Sequence, residues 1–211
     1  IRGVLSHASI MWNLKVDLPT FDKTTAQLRK TRQISSSQKR DRLPTFDELE
    51  SLTKYFVRKW NHSSYSYPMH LIMWFAIFSC RREAEITRMQ LDDYDETNKL
   101  WKIRDLKNPN GSKGNHKEFS VHDDCQQMID LLLDGDIRHR MLKRGYDENL
   151  LVPLSPKTMG SEFRKACKLL GIDDLHFHDL RHEGCTRLAE KGMTIPQIQQ
   201  VSLHDSWSSL E

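Results

Sequence analysis

The stretch LHFHDLRHEGCTRLAEKG, Leu175–Gly192, carries three histidines and an arginine within seven residues: His176, His178, Arg181 and His182. Its pattern predicts a helix over residues 178–191, closed by Gly192. On such a helix His178 and Arg181, three apart, lie on one face about a turn from each other. An imidazole beside a guanidinium suits a metal, a phosphate or plain solvation, and the rest of the chain has to choose.

Working outward, the segment before this stretch predicts a helix over residues 158–170, with Gly171 just past its end. A short helix follows Thr194, with Pro196 in its first turn. Further upstream, KLWKIRDLK (residues 99–107) and HKEFSVH (residues 116–122) alternate as strands do, and NPNGSKGN joins them. Asn110-Gly111 and Gly114 make this the clearest hairpin signal in the chain. Helices are predicted over residues 124–133, 83–89 and 69–78, the last so apolar that it reads as a buried core helix. Thr45 with Glu48 three residues on forms a capping box, followed by Phe46, Leu49, Leu52 and Phe56 on one face. The order is helices, one hairpin, then helices again. That predicts a mainly α domain with a small antiparallel sheet (α+β), since no βαβ alternation occurs.

The capping box marks a boundary near residue 43. Residues 1–16 read as the end of one amphipathic helix, with Val4, Leu5, Ile10, Met11 and Leu14 as its apolar positions. Residues 17–42 hold a proline, Ser/Thr clusters and few apolar side chains, the composition of an extended linker. Charge divides at the same place. Residues 1–43 carry nine Lys/Arg against three Asp, a balance of +6, so the remainder sums to −3 within the overall +3. Basic charge concentrated in one arm suits a polyanionic partner, and Arg29, Lys30, Arg32, Lys39 and Arg40 are the candidates to meet it.

Other classes are excluded or disfavoured. No run of 18 apolar residues exists, so no membrane-spanning helix is expected. The four cysteines (Cys80, Cys125, Cys167, Cys185) show no CxxC spacing, which fits isolated reduced thiols. The chain lacks a signal-peptide layout and starts without Met, so it is expected to be a fragment. Zinc is the weaker answer for the histidines: His178 and His182 stand at i, i+4, but Asp179 holds the place of the metalloprotease glutamate and an arginine stands between them. No metal and no cofactor are expected.

Four elements in order carry a resemblance: SCRREAE (residues 79–85), a lysine on the hairpin, HDLRH (residues 178–182) and SLHDSW (residues 202–207). Together they resemble the catalytic domain of the tyrosine recombinases, the phage-integrase family, over residues 43–211. The resemblance implies that Arg82, Lys107, His178, Arg181 and His204 are the catalytic set, with Glu85 supporting Arg82 in the Arg-x-x-Glu motif. Arg81 is the alternative to Arg82, and Lys113 the alternative to Lys107 as well as a candidate DNA contact. Leu203 stands where the family usually has glycine, which puts the local turn in question. It further implies double-stranded DNA as partner, a homotetramer on DNA with a monomer in isolation, and work in the cytoplasm of a bacterial host cell. Residues 1–16 would then end a core-binding domain, and residues 17–42 would follow the duplex.

The chemistry explains why these residue types belong together. Attack at phosphorus builds negative charge on the non-bridging oxygens, and guanidiniums can grip those oxygens bidentately at any working pH. His178 can accept the proton of an attacking hydroxyl, a task that suits an imidazole. A lysine on a turn can return a proton to the departing 5′ oxygen, and His204 adds a hydrogen bond. The family's nucleophile is a tyrosine a short step after the second histidine, past Glu211, so the chain is expected to stop before it. None of Tyr55, Tyr65, Tyr67, Tyr94 and Tyr146 fits that slot. The rival reading is a non-catalytic DNA-binding regulator that keeps the phosphate clamp.

Overall fold

The structure is a computed structural model that describes residues 1–34, 41–63, 67–106, 112–143 and 147–204. The chain divides into two compact units, residues 1–40 and 41–211.

In the first unit, α1 spans Arg2–Met11 and α2 spans Leu18–Lys30. The second helix corrects the extended-linker reading. Asp17 caps it by accepting from the Thr20 N–H at 2.9 Å, and Pro19 lies in its first turn. Proline punctuates a helix start as readily as a linker, and here it does the former. Arg2 holds Asp22 through two bonds, Nε to Oδ1 at 2.7 Å and Nη2 to Oδ2 at 3.0 Å. Arg29, Lys30 and Arg32 are exposed at the end of α2, while Lys39 and Arg40 lie outside the described residues.

The second unit is built around α4 (Met69–Ser79), which has buried residues on every face, among them Met69, Ile72, Met73, Phe75, Ala76 and Ile77. Four helices surround it: α3 (Phe46–His62), α6 (Asp123–Leu133), α8 (Pro156–Leu170) and α9 (Asp179–Glu190). The α3 capping box forms as expected, with the Glu48 N–H donating to Thr45 Oγ1 and the Thr45 N–H to Glu48 Oε2. Gly171 closes α8 at φ 67°. Burial of one apolar stripe per helix, Leu49, Leu52, Phe56 and Trp60 on α3 for example, drives this assembly.

The sheet is small and antiparallel. Strands β2 (Leu100–Ile103) and β3 (Lys117–Ser120) form the expected hairpin, with Trp101 opposite Phe119, and both rings are fully buried. A third strand, β1 (Tyr94–Asp95), joins β2 on its other edge in the order β1-β2-β3. The short α5 (Glu83–Ile86) follows α4, α7 (Gly135–Leu142) follows α6, and α10 (Ile195–Ser202) is the last described helix. Sequence periodicity does not single out β1 or α7, the former because two residues make no pattern. The mainly α class with a small antiparallel sheet is the observed one. Among the described residues no helix is long and apolar enough to cross a membrane.

Candidate active site

Three helix ends converge on one point. Helix α4 stops at Cys80, which turns the chain in the left-handed conformation (φ 53°, ψ 32°). This turn sends Arg81 inward and leaves Arg82 as the N-cap of α5. Helix α9 brings Arg181 from its first turn, and α10 delivers His204 through Leu203, also left-handed at φ 56°. Leu203 therefore makes the turn that glycine makes more cheaply, at a cost on the order of 1–2 kcal/mol.

Glu85 is the hub. It is 3% exposed, and three guanidiniums surround its carboxylate. Arg82 Nη1 donates to Oε1 at 2.8 Å, while Arg81 Nη1 and Arg181 Nη1 stand 3.5 and 3.9 Å from Oε2. The Arg82 backbone N–H also reaches Oε2, at 3.3 Å. Burial on its own would push Glu85 up, but Arg81, Arg181 and Arg82 outweigh it and hold the carboxyl below the ordinary range. Three cations on one anion leave an excess of positive charge in a dry place. Burial first, then repulsion from Arg81 and Arg82, pushes Arg181 down to about 10, so it stays charged at neutral pH.

Arg181 is fixed from two sides. Its Nη1 donates to the Cys80 carbonyl at 2.7 Å and its Nε to His204 Nε2 at 3.3 Å. With Nε2 accepting, His204 carries its proton on Nδ1 and points it at Ser202 Oγ, 2.8 Å away. Arg181 Nη2 is buried and has no hydrogen-bond partner. A buried donor left unsatisfied is costly, and Arg81 Nη1 in the same cluster is left likewise.

Beside this cluster lies a cleft of about 670 Å³ lined by Arg82, His176 and His178 on one side and by Lys157, Ser161 and Arg164 of α8 on the other. His178 is exposed at its rim, yet the protein around it, with His182, Arg82 and Arg181, holds its pKa below the usual value. His178 and His182 meet edge to face with centroids 5.4 Å apart. Among the described residues no group of three or more potential ligands is placed to hold a metal ion.

Of the residues expected from the sequence, the structure brings together Arg82, Glu85, His178, Arg181 and His204. It separates the two neighbouring arginines: Arg81 is 1% exposed and faces the core, while the Arg82 side chain is 36% exposed at the cleft. Lys107 lies outside the described residues, and Lys113 is exposed in the turn before Gly114. Lys157, Ser161 and Arg164 were not foreseen, although their i, i+4, i+7 spacing is a polar stripe that periodicity could have marked.

Residues 43–211 match the model of the phage integrase family. The shufflon-specific DNA recombinase of Escherichia coli is 25% identical over 216 residues, taking in 100% of this chain and 49% of that protein. The integrase of Salmonella phage P22 is 25% identical over 154 residues, 68% of this chain and 37% of that one. The chain thus spans half or less of the length of these relatives. Among solved structures, a lambda integrase dimer bound to a COC′ core site superposes with a TM-score of 0.64 at 20% identity, over 99% of this chain and 57% of that one. The XerA recombinase gives a TM-score of 0.58 at 18% identity, covering 98% and 73%. These likenesses show the fold, and the family match over most of its length decides the membership: this chain belongs to the phage integrase family.

Proposed function

We propose that this chain is the catalytic part of a site-specific DNA recombinase that breaks and rejoins strands through a 3′-phosphotyrosine. The observation that carries the proposal is the Glu85 hub, three guanidiniums on one carboxylate with the buried Nη2 of Arg181 unpartnered. A phosphodiester supplies the missing negative charge, and the charge grows as the phosphorus becomes five-coordinate. Donors already fixed in place need no rearrangement at that moment, which is why such sites lower barriers by several kcal/mol.

In this reading Arg82 and Arg181 hold the non-bridging oxygens and His204 adds a hydrogen bond. His178 takes the proton as a tyrosine oxygen attacks phosphorus, and the 5′ oxygen leaves, protonated by Lys107 or Lys113. As the resemblance implies, the attacking tyrosine follows His204 in sequence. Among the described tyrosines, Tyr94 is stacked on Trp101 and bonded to Gln126, while Tyr55 and Tyr67 pack against the core. The energy of the broken linkage is kept in the protein–DNA ester, so a free 5′ hydroxyl can reverse the step without metal or cofactor. Arg29, Lys30 and Arg32, with Lys39 and Arg40, would follow the duplex backbone, and Lys157 and Arg164 the phosphates beside the cleft. The working form is a homotetramer on two duplexes, in the cytoplasm of a bacterial host.

The test is to incubate the protein extending past Glu211 with nicked duplexes carrying the ends of its mobile element, then digest and analyse by mass spectrometry. A tyrosine-linked oligonucleotide is expected. DNA binding with no adduct would leave the clamp as the anchor of a regulator, and metal-dependent nicking with free ends would make the protein an ordinary nuclease.

A further inference from the structure

Arg81 has no part in the reaction proposed above, yet its side chain is wholly enclosed. Burying a guanidinium is expensive, and desolvation lowers its pKa. A surface role cannot account for that expense, because the group never reaches the cleft.

Its contacts span four elements, two of them through hydrogen bonds. Nε donates to the Ser79 carbonyl at the end of α4 at 2.9 Å, and Nη2 to the Val201 carbonyl in the last turn of α10 at 2.5 Å. Nη1 faces Glu85 of α5, and the guanidinium carbon lies 4.8 Å from the ring centroid of Phe119 on β3. The Val201 carbonyl is one of the orphan acceptors that every helix end leaves over. Two residues later Leu203 takes its left-handed turn, and the next residue is His204, bonded to Arg181.

We propose that Arg81 is a positioning residue: by clamping the last turn of α10 to the Glu85 hub, it sets His204 against Arg181. The proposal rests on the recombinase reading for its consequences, but its geometry does not. Lysine cannot replace it, since one ammonium cannot reach Ser79 and Val201 in the fork geometry that a guanidinium provides. An apolar side chain of similar length can fill the space, and such replacements of buried charge are often tolerated by the fold.

The experiment compares Arg81→Met and Arg81→Lys with the parent in the protein extending past Glu211. The reading is single-turnover cleavage of a nicked substrate at saturating DNA, alongside DNA affinity. Misplacement of a catalytic group costs on the order of 10²-fold, so a loss of that size with affinity within about twofold is expected for both variants. The same substitutions are then made in a His204→Gln background, where the further loss should shrink to about twofold or less, because both changes remove one coupled element. Undiminished loss in that background would overturn the proposal, as would cleavage at the parent rate. If Arg81→Met does not fold, Arg81→Lys carries the same comparison. A separate reading needs no activity: the ring nitrogen NMR shifts of His204 in the 211-residue chain. They should move in either variant, and unchanged shifts would sink the proposal. A parent that cleaves nothing would overturn the function while these shifts still decide the role of Arg81.

Discussion

Gly184 of α9 sits so close to Ile77 of α4 that a β-carbon built on it would lie 2.1 Å from the Ile77 carbonyl oxygen. The same carbon would stand 2.8 Å from Cys80 Sγ. Close seating of α9 on the end of α4 is what allows Arg181, one turn earlier, to reach the Cys80 carbonyl.

Gly184→Ala is therefore expected to destabilise the chain by about 3 kcal/mol, the upper range for overpacking against backbone that cannot yield. In an open helix position the same change would stabilise by roughly 1 kcal/mol. Urea denaturation decides the sign. A stabilised variant would mean that α9 stands off from α4.

Glu85→Gln removes the one carboxylate beneath three guanidiniums. Taking away one partner of a buried charge pair costs about 3–5 kcal/mol, and a destabilisation of that order is expected in the same denaturation assay. The pH dependence follows from the lowered Glu85 pKa. Its folded value lies below the unfolded one, so its contribution is present in full above the ordinary value of 4.5 and is lost as pH falls through the folded value. Stability of the parent should therefore fall more steeply with acid than that of the variant, and parallel curves would remove Glu85 from the hub.

Local chemistry made much of this fold legible. Thr45 with Glu48, Gly171 after α8 and Pro196 at the start of α10 are each found in the use the sequence suggested. Helix α2 escapes a reading by periodicity because no residue in it is buried and its stretch lacks a run of apolar positions, leaving Asp17 and Pro19 as its only signals. Arg82, Glu85, Arg181 and His204, singled out by their motifs, lie together in the structure. The Arg-x-x-Glu spacing favoured Arg82, but the burial of Arg81 was not foreseen, since adjacent residues differ in which way the chain turns. That direction is set by the left-handed Cys80, a conformation for which cysteine gives no signal.

His178 is expected to set the acid limb of the cleavage profile. Partial desolvation at the cleft rim, then His182, Arg82 and Arg181, hold its pKa below the usual 6.5, so the neutral base persists to lower pH than for a free imidazole. The single-turnover rate should fall with a midpoint under pH 6.5, and His182→Gln should shift that midpoint upward by removing one of the repelling groups. A midpoint unmoved by His182→Gln and still present in His178→Ala would assign the limb to another group.

Binding and chemistry should separate cleanly between the two units. In the proposed function Arg181 is one phosphate ligand among many, so Arg181→Ala is expected to abolish strand exchange while leaving most of the DNA affinity. Replacing Arg29, Lys30 and Arg32 by alanine should act the other way, because the Glu85 hub is built from residues of the second unit. Removing a cation that neutralises one phosphate lowers the slope of log affinity against log salt by about 1. The triple variant should then bind more weakly at all sequences, with a slope flatter by about 3, yet cleave at the parent rate once saturated. Filter binding across a salt series, paired with single-turnover cleavage, measures both. An unchanged slope would take α2 off the duplex, and a lost cleavage rate at saturation would show that the first unit does more than hold DNA.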